Sequence, residues 1–279
     1  MEVIDHPAMA SVRIKRTSGN EVNDTADILA VEEPLAIHLQ YHHGGAPIIK
    51  QLAVTMRTPG YDDELALGFL FTEGIINGAG QVQDIRSQGE NTVVVTLASA
   101  VSPSLQGTDR NFYTTSSCGV CGKSSIDAIK TSSSYQAVTD STIIPVSMVH
   151  QLPAQVRATQ GVFDCTGALH ASALFDLEAN LILLREDVGR HNALDKLIGA
   201  TLRARSYPLS DTILLLSGRA SFELIQKASM SGIRIVAAIG APSSLAVQLA
   251  HEFNMTLIGF VREDRFNIYS GAHRISEAR

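Results

Sequence analysis

The rhythm of apolar and polar positions changes once along this chain, from a period of two to a period near 3.6. Residues 12–15 alternate and fit an edge strand, and 19–27 read as loop. Alternation strengthens over 35–41, stops at His42, His43, Gly44 and Gly45, and resumes over 48–56 with Leu52, Val54 and Met56 on one face. That pattern predicts a hairpin. Asp62 and Asp63 then open an apolar-rich helix over 64–72, which Gly74 closes. Residues 82–86 and 92–97 read as two strands about a turn at 89–91. This first stretch predicts a small α+β N-terminal domain over 1–110, with the Ser-, Ala-, Gly- and Pro-containing segment 98–109 as linker.

The second rhythm defines a domain over 111–279. Residues 146–160 predict a helix that Pro153 kinks or interrupts. The apolar runs 168–175 and 181–185 pair across a polar turn at 176–180. Helices at 192–203, 222–231 and 245–253 then alternate with strands at 212–216, 234–238 and 256–260. Such alternation implies an α/β architecture with parallel strands covered on both faces. Right-handed crossovers gather the strand-end loops on one edge of the sheet.

Three of those loops share a chemistry. Gly189, Arg190 and His191 precede the first helix; Ser217, Arg219 and Ser221 precede the second; residues 240–244 precede the third. Each sets Gly or small polar residues at a helix N-terminus, where free amides hold an anion. Arg190 and Arg219 add charge-assisted donors for phosphate. Ordinary strand-to-helix turns with Ser caps would look alike one at a time; three in register favour a ligand site. Asp187 and Glu186 are expected to cap or to pair with an Arg, and His170 to be either a core histidine or a ligand-facing one.

Composition bounds the function. A 279-residue chain with 45% apolar and 18% charged residues is that of a soluble globular protein. Its net charge of −6 gives no reason to expect a nucleic-acid partner. No secretory signal or spanning segment is visible, and three cysteines make no disulfide framework, so a cytoplasmic, reducing setting is expected. Two of the three, Cys118 and Cys121, form a Cys-x-x-Cys pair among Thr, Ser and Gly. A helical pattern follows, so Cys121 falls near a helix N-terminus beside Lys123, which favours a thiolate. Four chemistries fit such a pair: a structural zinc site, a redox dithiol, inert buried thiols, or a nucleophile that carries sulfur. Zinc would need two further ligands from distant histidines, and inert thiols would need apolar surroundings. Cys165, beside an apolar strand, reads as a buried small residue.

The order of elements from about Val146 resembles the cytidine-deaminase fold, three-layered and zinc-dependent. That family's His-x-Glu here reads His191, Asn192, Ala193, and its Pro-Cys-x-x-Cys reads Ser217 to Ser221 without cysteine. Deaminase chemistry is therefore excluded while the fold is kept, and no metal site of the chain's own is expected. A narrower resemblance rests on the run 186–197, EDVGRHNALDKL. It is joined by Glu32 to Leu35, Leu67 to Phe69 with Thr72 to Ile76, Cys118 to Gly122, Thr166 and Gly167 with His170, Ser217 to Ser221 with Glu223, and Thr256 to Phe260. This ordered set is similar to the FdhD family, the sulfur carriers required for formate dehydrogenase.

The resemblance implies that a cysteine desulfurase donates persulfide sulfur and that the chain passes it to the molybdenum or tungsten bis(molybdopterin guanine dinucleotide) cofactor. The cofactor then enters the formate dehydrogenase apoenzyme. Cys118 matches the family's persulfide-bearing residue, with Cys121 its neighbour. Phe260, Val261, Arg262, Glu263, Asp264 and Arg265 match its cofactor-binding segment, in which the arginines suit a pyrophosphate and the two acids do not. A homodimer is likewise implied. A dithiol redox protein and a cofactor chaperone with dispensable cysteines are the alternatives.

Overall fold

The computed structural model describes residues 6–105, 112–113, 142–204 and 207–277. Cys118, Cys121 and the helix expected after them lie outside the described residues. Strands β1 (Met9–Ser18) and β2 (Glu21–Ala30) form a separate antiparallel ribbon turning at Gly19 and Asn20. The loop expected over 19–27 is therefore mostly strand. The edge strand expected over 12–15 is present, as part of β1. The ribbon buries almost nothing on either face, so its second strand carries no apolar alternation to betray it.

The next five strands are β3 (Glu33–His43), β4 (Ala46–Arg57), β5 (Val82–Ser87), β6 (Thr92–Leu97) and β7 (Phe112–Tyr113). They form one sheet in the order β5-β6-β3-β4-β7, and helix α1 (Asp62–Thr72) follows β4. Leu35, Ile37 and Leu39 join Leu65, Leu67, Leu70 and Phe71 of α1 in one apolar cluster. The expected hairpin is present, but a register shift at Ile37 and His38 breaks the face drawn through Leu52, Val54 and Met56. Leu52 and its neighbour Ala53 are both buried, whereas Met56 is 40% exposed.

The remaining elements are β8 (Ile144–Pro145), α2 (Val146–Thr159), α3 (Gly161–Thr166), β9 (His170–Phe175), β10 (Leu181–Asp187) and α4 (Arg190–Ala204). They continue with β11 (Ile213–Leu216), α5 (Phe222–Met230), β12 (Ile235–Ala238), α6 (Ser244–Glu252), β13 (Thr256–Gly259), β14 (Asn267–Ser270) and β15 (Ile275–Ser276). A six-stranded sheet runs β10-β9-β11-β12-β13-β14. β11, β12 and β13 are parallel, as the alternation of helix and strand requires; β9, β10 and β14 enter antiparallel. Pro153 does not interrupt α2, because Leu152 and Val156 on either side of it are buried in the core. The chain is thus mixed α/β, with several sheets and, among the described residues, six α-helices. None of these is long and apolar enough to cross a membrane.

Alternate residues of the six-stranded sheet face two clusters. Ala171, Ala173, Phe175, Ile213 and Leu215 pack with Val149, Leu152 and Val156 of α2. Leu174, Leu214, Leu216 and Val236 pack on the other face with α4, α5 and α6, in the same cluster that α1 and the five-stranded sheet fill. Helix α4 is the shared element. Its Gly199 and the Gly68 of α1 bring the two helix backbones into contact: a Cβ on Gly68 would stand 2.7 Å from the Asp195 carbonyl carbon, and one on Gly199 2.7 Å from that of Glu64.

Charge reinforces this contact. Lys227 Nζ lies 3.0 Å from both carboxylate oxygens of Asp195, and Asp195 also accepts a bond from Thr72 at 2.8 Å. Arg185 forms a two-bond fork with Glu64, at 2.6 and 2.8 Å. Buried ions are stable only when paired and hydrogen-bonded in this way.

Candidate functional site at the strand-end edge

The C-terminal ends of β10, β11, β12 and β13 reach one edge of the six-stranded sheet, where β9 begins at His170. The loops after β11 and β12 are stitched together. Ala220 bridges Pro242, Gly240 N donates to Gly218 O at 3.0 Å, and Ser243 N donates to Ala220 O at 3.0 Å. Ser217 is largely engaged in this scaffold: its Oγ accepts the Ala171 N–H at 2.7 Å. Arg219 is exposed.

His191 lies in the first turn of α4 and is 4% exposed. Its Nε2 is 3.0 Å from Glu223 Oε2 and 3.3 Å from Ser221 Oγ. Ser221 thus meets this buried pair instead of capping α5 through its side chain. Burial pushes the Glu223 carboxyl up, yet the bonds from His191 and Ser221 and the charge of Arg190 outweigh it and hold the group below its ordinary range. His170 is pushed down, first by burial and then by the charges of Arg190 and His191. His191 Nδ1 and Arg190 Nε are both buried and have no hydrogen-bond partner among the described residues. The first turn of α4 therefore presents polar atoms that a ligand can satisfy.

Asp187, fully buried, fixes that loop. It accepts the Gly189 N–H at 2.8 Å and the Thr58 N–H at 3.2 Å, and lies 2.7 Å from Lys196 Nζ. Its ion-pair partner is thus a lysine one helical turn and a half along α4, not an arginine. Burial raises its pKa against the pull of Lys196. Asn192 donates to Asp187 at 3.2 Å and to Met56 O at 2.7 Å, so the end of β4 is bolted to the same corner. Glu186 caps α3, accepting the N–H groups of Val162 and Phe163 at 3.3 and 3.1 Å.

Beyond β13, Phe260 adopts a left-handed φ of 54° and is 41% exposed, while Val261 is buried. Arg262 Nη1 donates to Ile239 O at 2.8 Å and to Val261 O at 2.7 Å, so part of this guanidinium caps strand-end carbonyls. Glu263, Asp264 and Arg265 are exposed. The edge therefore brings Gly189, Arg190, His191 and Ser221 together on one side and sets Phe260 to Arg265 on the other. Cys118 and Cys121 lie outside the described residues. Cys165 is exposed on α3, not buried, because the chain forms a short helix there before the strand starts.

Two residues of this region were not picked out as site residues from the sequence. Glu223 appears there only as part of a motif, and Gln160 merely ends a helix. Gln160 is 6% exposed and lines a cavity of about 920 Å³ that runs from α2 and α3 to the strand-end edge.

Known proteins match this chain over most of its length. The model of the FdhD/NarQ family matches residues 30–276. A sulfur carrier protein FdhD from Mycolicibacterium paratuberculosis is 47% identical, covering 94% of this chain and 97% of its own. One from Streptomyces avermitilis is 48% identical over 95% and 94%, and one from Sulfolobus acidocaldarius 40% over 95% and 97%. A crystal structure provisionally described as a formate dehydrogenase accessory protein, from Desulfotalea psychrophila, shares the fold with a TM-score of 0.72 at 21% identity, over 97% of this chain and 100% of that one. With a match of this extent, the chain belongs to the FdhD/NarQ family.

Proposed function

We propose that this protein is a cytoplasmic sulfur carrier. Cys118 accepts sulfane sulfur from a cysteine desulfurase and delivers it to the molybdenum or tungsten bis(molybdopterin guanine dinucleotide) cofactor, its substrate, before formate dehydrogenase receives that cofactor. The observation that carries this reading is identity of 40–48% over nearly the whole chain to proteins named sulfur carriers, in a sequence that holds the pair Cys118 and Cys121. The strand-end edge supports the substrate side, with Arg190, His191 and Arg265 suited to phosphate oxygens. The half of the fold that forms this edge is, in the same reading, cytidine-deaminase-like.

Loading is a thiolate exchange. The Cys118 thiolate attacks the outer sulfur of the desulfurase persulfide, an S–S bond forms to Cys118, and the desulfurase thiolate leaves. For release, the Cys121 thiolate attacks the inner sulfur of the Cys118 persulfide. A Cys118–Cys121 disulfide forms and sulfur departs as hydrosulfide, and a dithiol reductant then restores the pair.

The test is intact-protein mass spectrometry after incubation with a cysteine desulfurase and cysteine, on wild type, Cys118→Ala and Cys121→Ala. A sulfur-sized increment that reductant removes, absent from Cys118→Ala, is expected. Loss of two hydrogens without added sulfur would instead identify a redox dithiol. No increment in any sample would refute the carrier reading.

A further inference from the structure

We infer that His150 of α2 is a positioning residue for the segment beyond β13. It latches the turn 261–266 to α2 by way of Arg262, and so holds in place the surface that the dinucleotide meets. The inference deepens the reading proposed above and rests on it.

After β13 the chain leaves the sheet, and Arg262, Glu263, Asp264 and Arg265 are all exposed. Residues in such a turn gain no rigidity from burial. Its two ends are nevertheless fixed. Phe260 N donates to Gly240 O at 3.1 Å, and Val261, fully buried, donates its N–H to Ala238 O at 3.1 Å. At the far end Phe266 packs against the cluster that α2 shares with β9.

Between those ends, Arg262 gathers the bonds. Its N–H donates to Arg265 O at 2.8 Å, which closes the turn on itself. Its Nη1 donates to Ile239 O and Val261 O, which ties the turn to the sheet. Its carbonyl oxygen lies 3.0 Å from His150 Nδ1, which ties the turn to α2. A carbonyl only accepts, so His150 carries a proton on Nδ1. The imidazole also lies against the Phe266 ring, with centroids 5.1 Å apart and planes tilted by 50°. Val149 and Leu152, which flank His150 on α2, are both fully buried. The core of the fold therefore sets where the donor stands, and the turn conforms to it.

Without the latch, the exposed residues would be held at their ends and would visit positions away from α2. A ligand that meets the closed turn then binds only the fraction of molecules in which it is closed, and its apparent affinity falls by that fraction. One hydrogen bond between uncharged groups corresponds to about a twofold to tenfold change.

The experiment pairs two readouts on the full-length protein, as wild type, His150→Phe and His150→Asn. Backbone hydrogen exchange over 262–266 is followed without ligand, and GDP serves as the probe in calorimetric titration. Phenylalanine keeps a ring against Phe266 but has no donor; asparagine restores an N–H near the place of Nδ1. His150→Phe is expected to speed exchange in the turn alone and to weaken GDP about twofold to tenfold, and His150→Asn to recover both. Wild-type exchange in His150→Phe overturns the latch. Faster exchange that spreads along α2 in both variants overturns it too, since His150 would then support the helix. Faster exchange in the turn with unaltered GDP affinity removes the positioning role. A wild type that does not bind GDP sinks the dinucleotide reading, and with it the role for the turn, even where the exchange data show the latch itself.

Discussion

The contact between α1 and α4 can be tested with one methyl group. In Gly68→Ala the new Cβ would stand 2.7 Å from the Asp195 carbonyl carbon, where ordinary contact begins at 3.4 Å. The atoms met are backbone, with the Asp195 carbonyl oxygen nearer still, so no side chain can swing aside, and the helices must part by at least about 0.7 Å if their packing is to survive. Overpacking of this kind costs about 1–3 kcal/mol. Alanine returns about 0.5–1 kcal/mol through better helix propensity. The difference spans about 0–2.5 kcal/mol, and because both partners are backbone the expected net loss lies in its upper part, about 1–2.5 kcal/mol, which for a chain of this size lowers Tm by roughly 2–10 °C. Gly161→Ala is the control, since a Cβ there meets nothing within 4 Å, and it should stay within about 0.5 kcal/mol of wild type. Thermal unfolding followed by circular dichroism reads both. A Gly68→Ala protein as stable as the control would mean that the helices do not touch backbone to backbone.

Two further outcomes are expected. Lys227→Met strands the buried Asp195 carboxylate and should cost about 3–5 kcal/mol in urea unfolding, part of which Asp195→Asn restores in the double variant; a loss under about 1 kcal/mol would contradict the pairing. His170 has a folded-state pKa below its ordinary value, from burial and the charges of Arg190 and His191, with Asp187 opposing. Below pH of about 6.5 the unfolded chain therefore binds a proton that the folded one resists, and stability falls as pH falls through that window. His170→Gln should flatten this part of the stability–pH curve, and an unaltered slope would show that His170 titrates normally.

Much of the architecture was legible because burial leaves a periodic mark. The helix–strand alternation from β10 to β13 is readable since each strand is an apolar run and each helix has one apolar face. Of the β1–β2 ribbon only residues 12–15 were legible; β2 was not, for it is largely exposed and its pairing is carried by backbone bonds that any side chain permits. β14 escaped notice for a related reason: it is a short edge strand with only Ser270 buried. At the edge itself, Gly189, Arg190 and His191 stood out by residue type. Glu223 and Lys196 did not, because an acid or a lysine in a helix ordinarily faces solvent, and only the fold turns these two against His191 and Asp187. Gln160 is the extreme case, a common residue made unusual solely by where its helix ends.

Helix α4 has an implication for how a large substrate could enter. Its adjacent Asp195 and Lys196 are each locked into a different buried ion pair, its backbone abuts α1, and its first turn carries Arg190 and His191. Amide hydrogens along this helix should therefore exchange with solvent only on global opening, hours after those of the exposed loop past β13. The floor of the edge is in effect a fixed jaw. Under the proposed function, accommodation of a bulky dinucleotide would come from the opposite side, where Phe260 and Arg262 to Arg265 lie on the surface, so that substrate entry and the resistance of the fold to unfolding would be governed by separate parts of the chain.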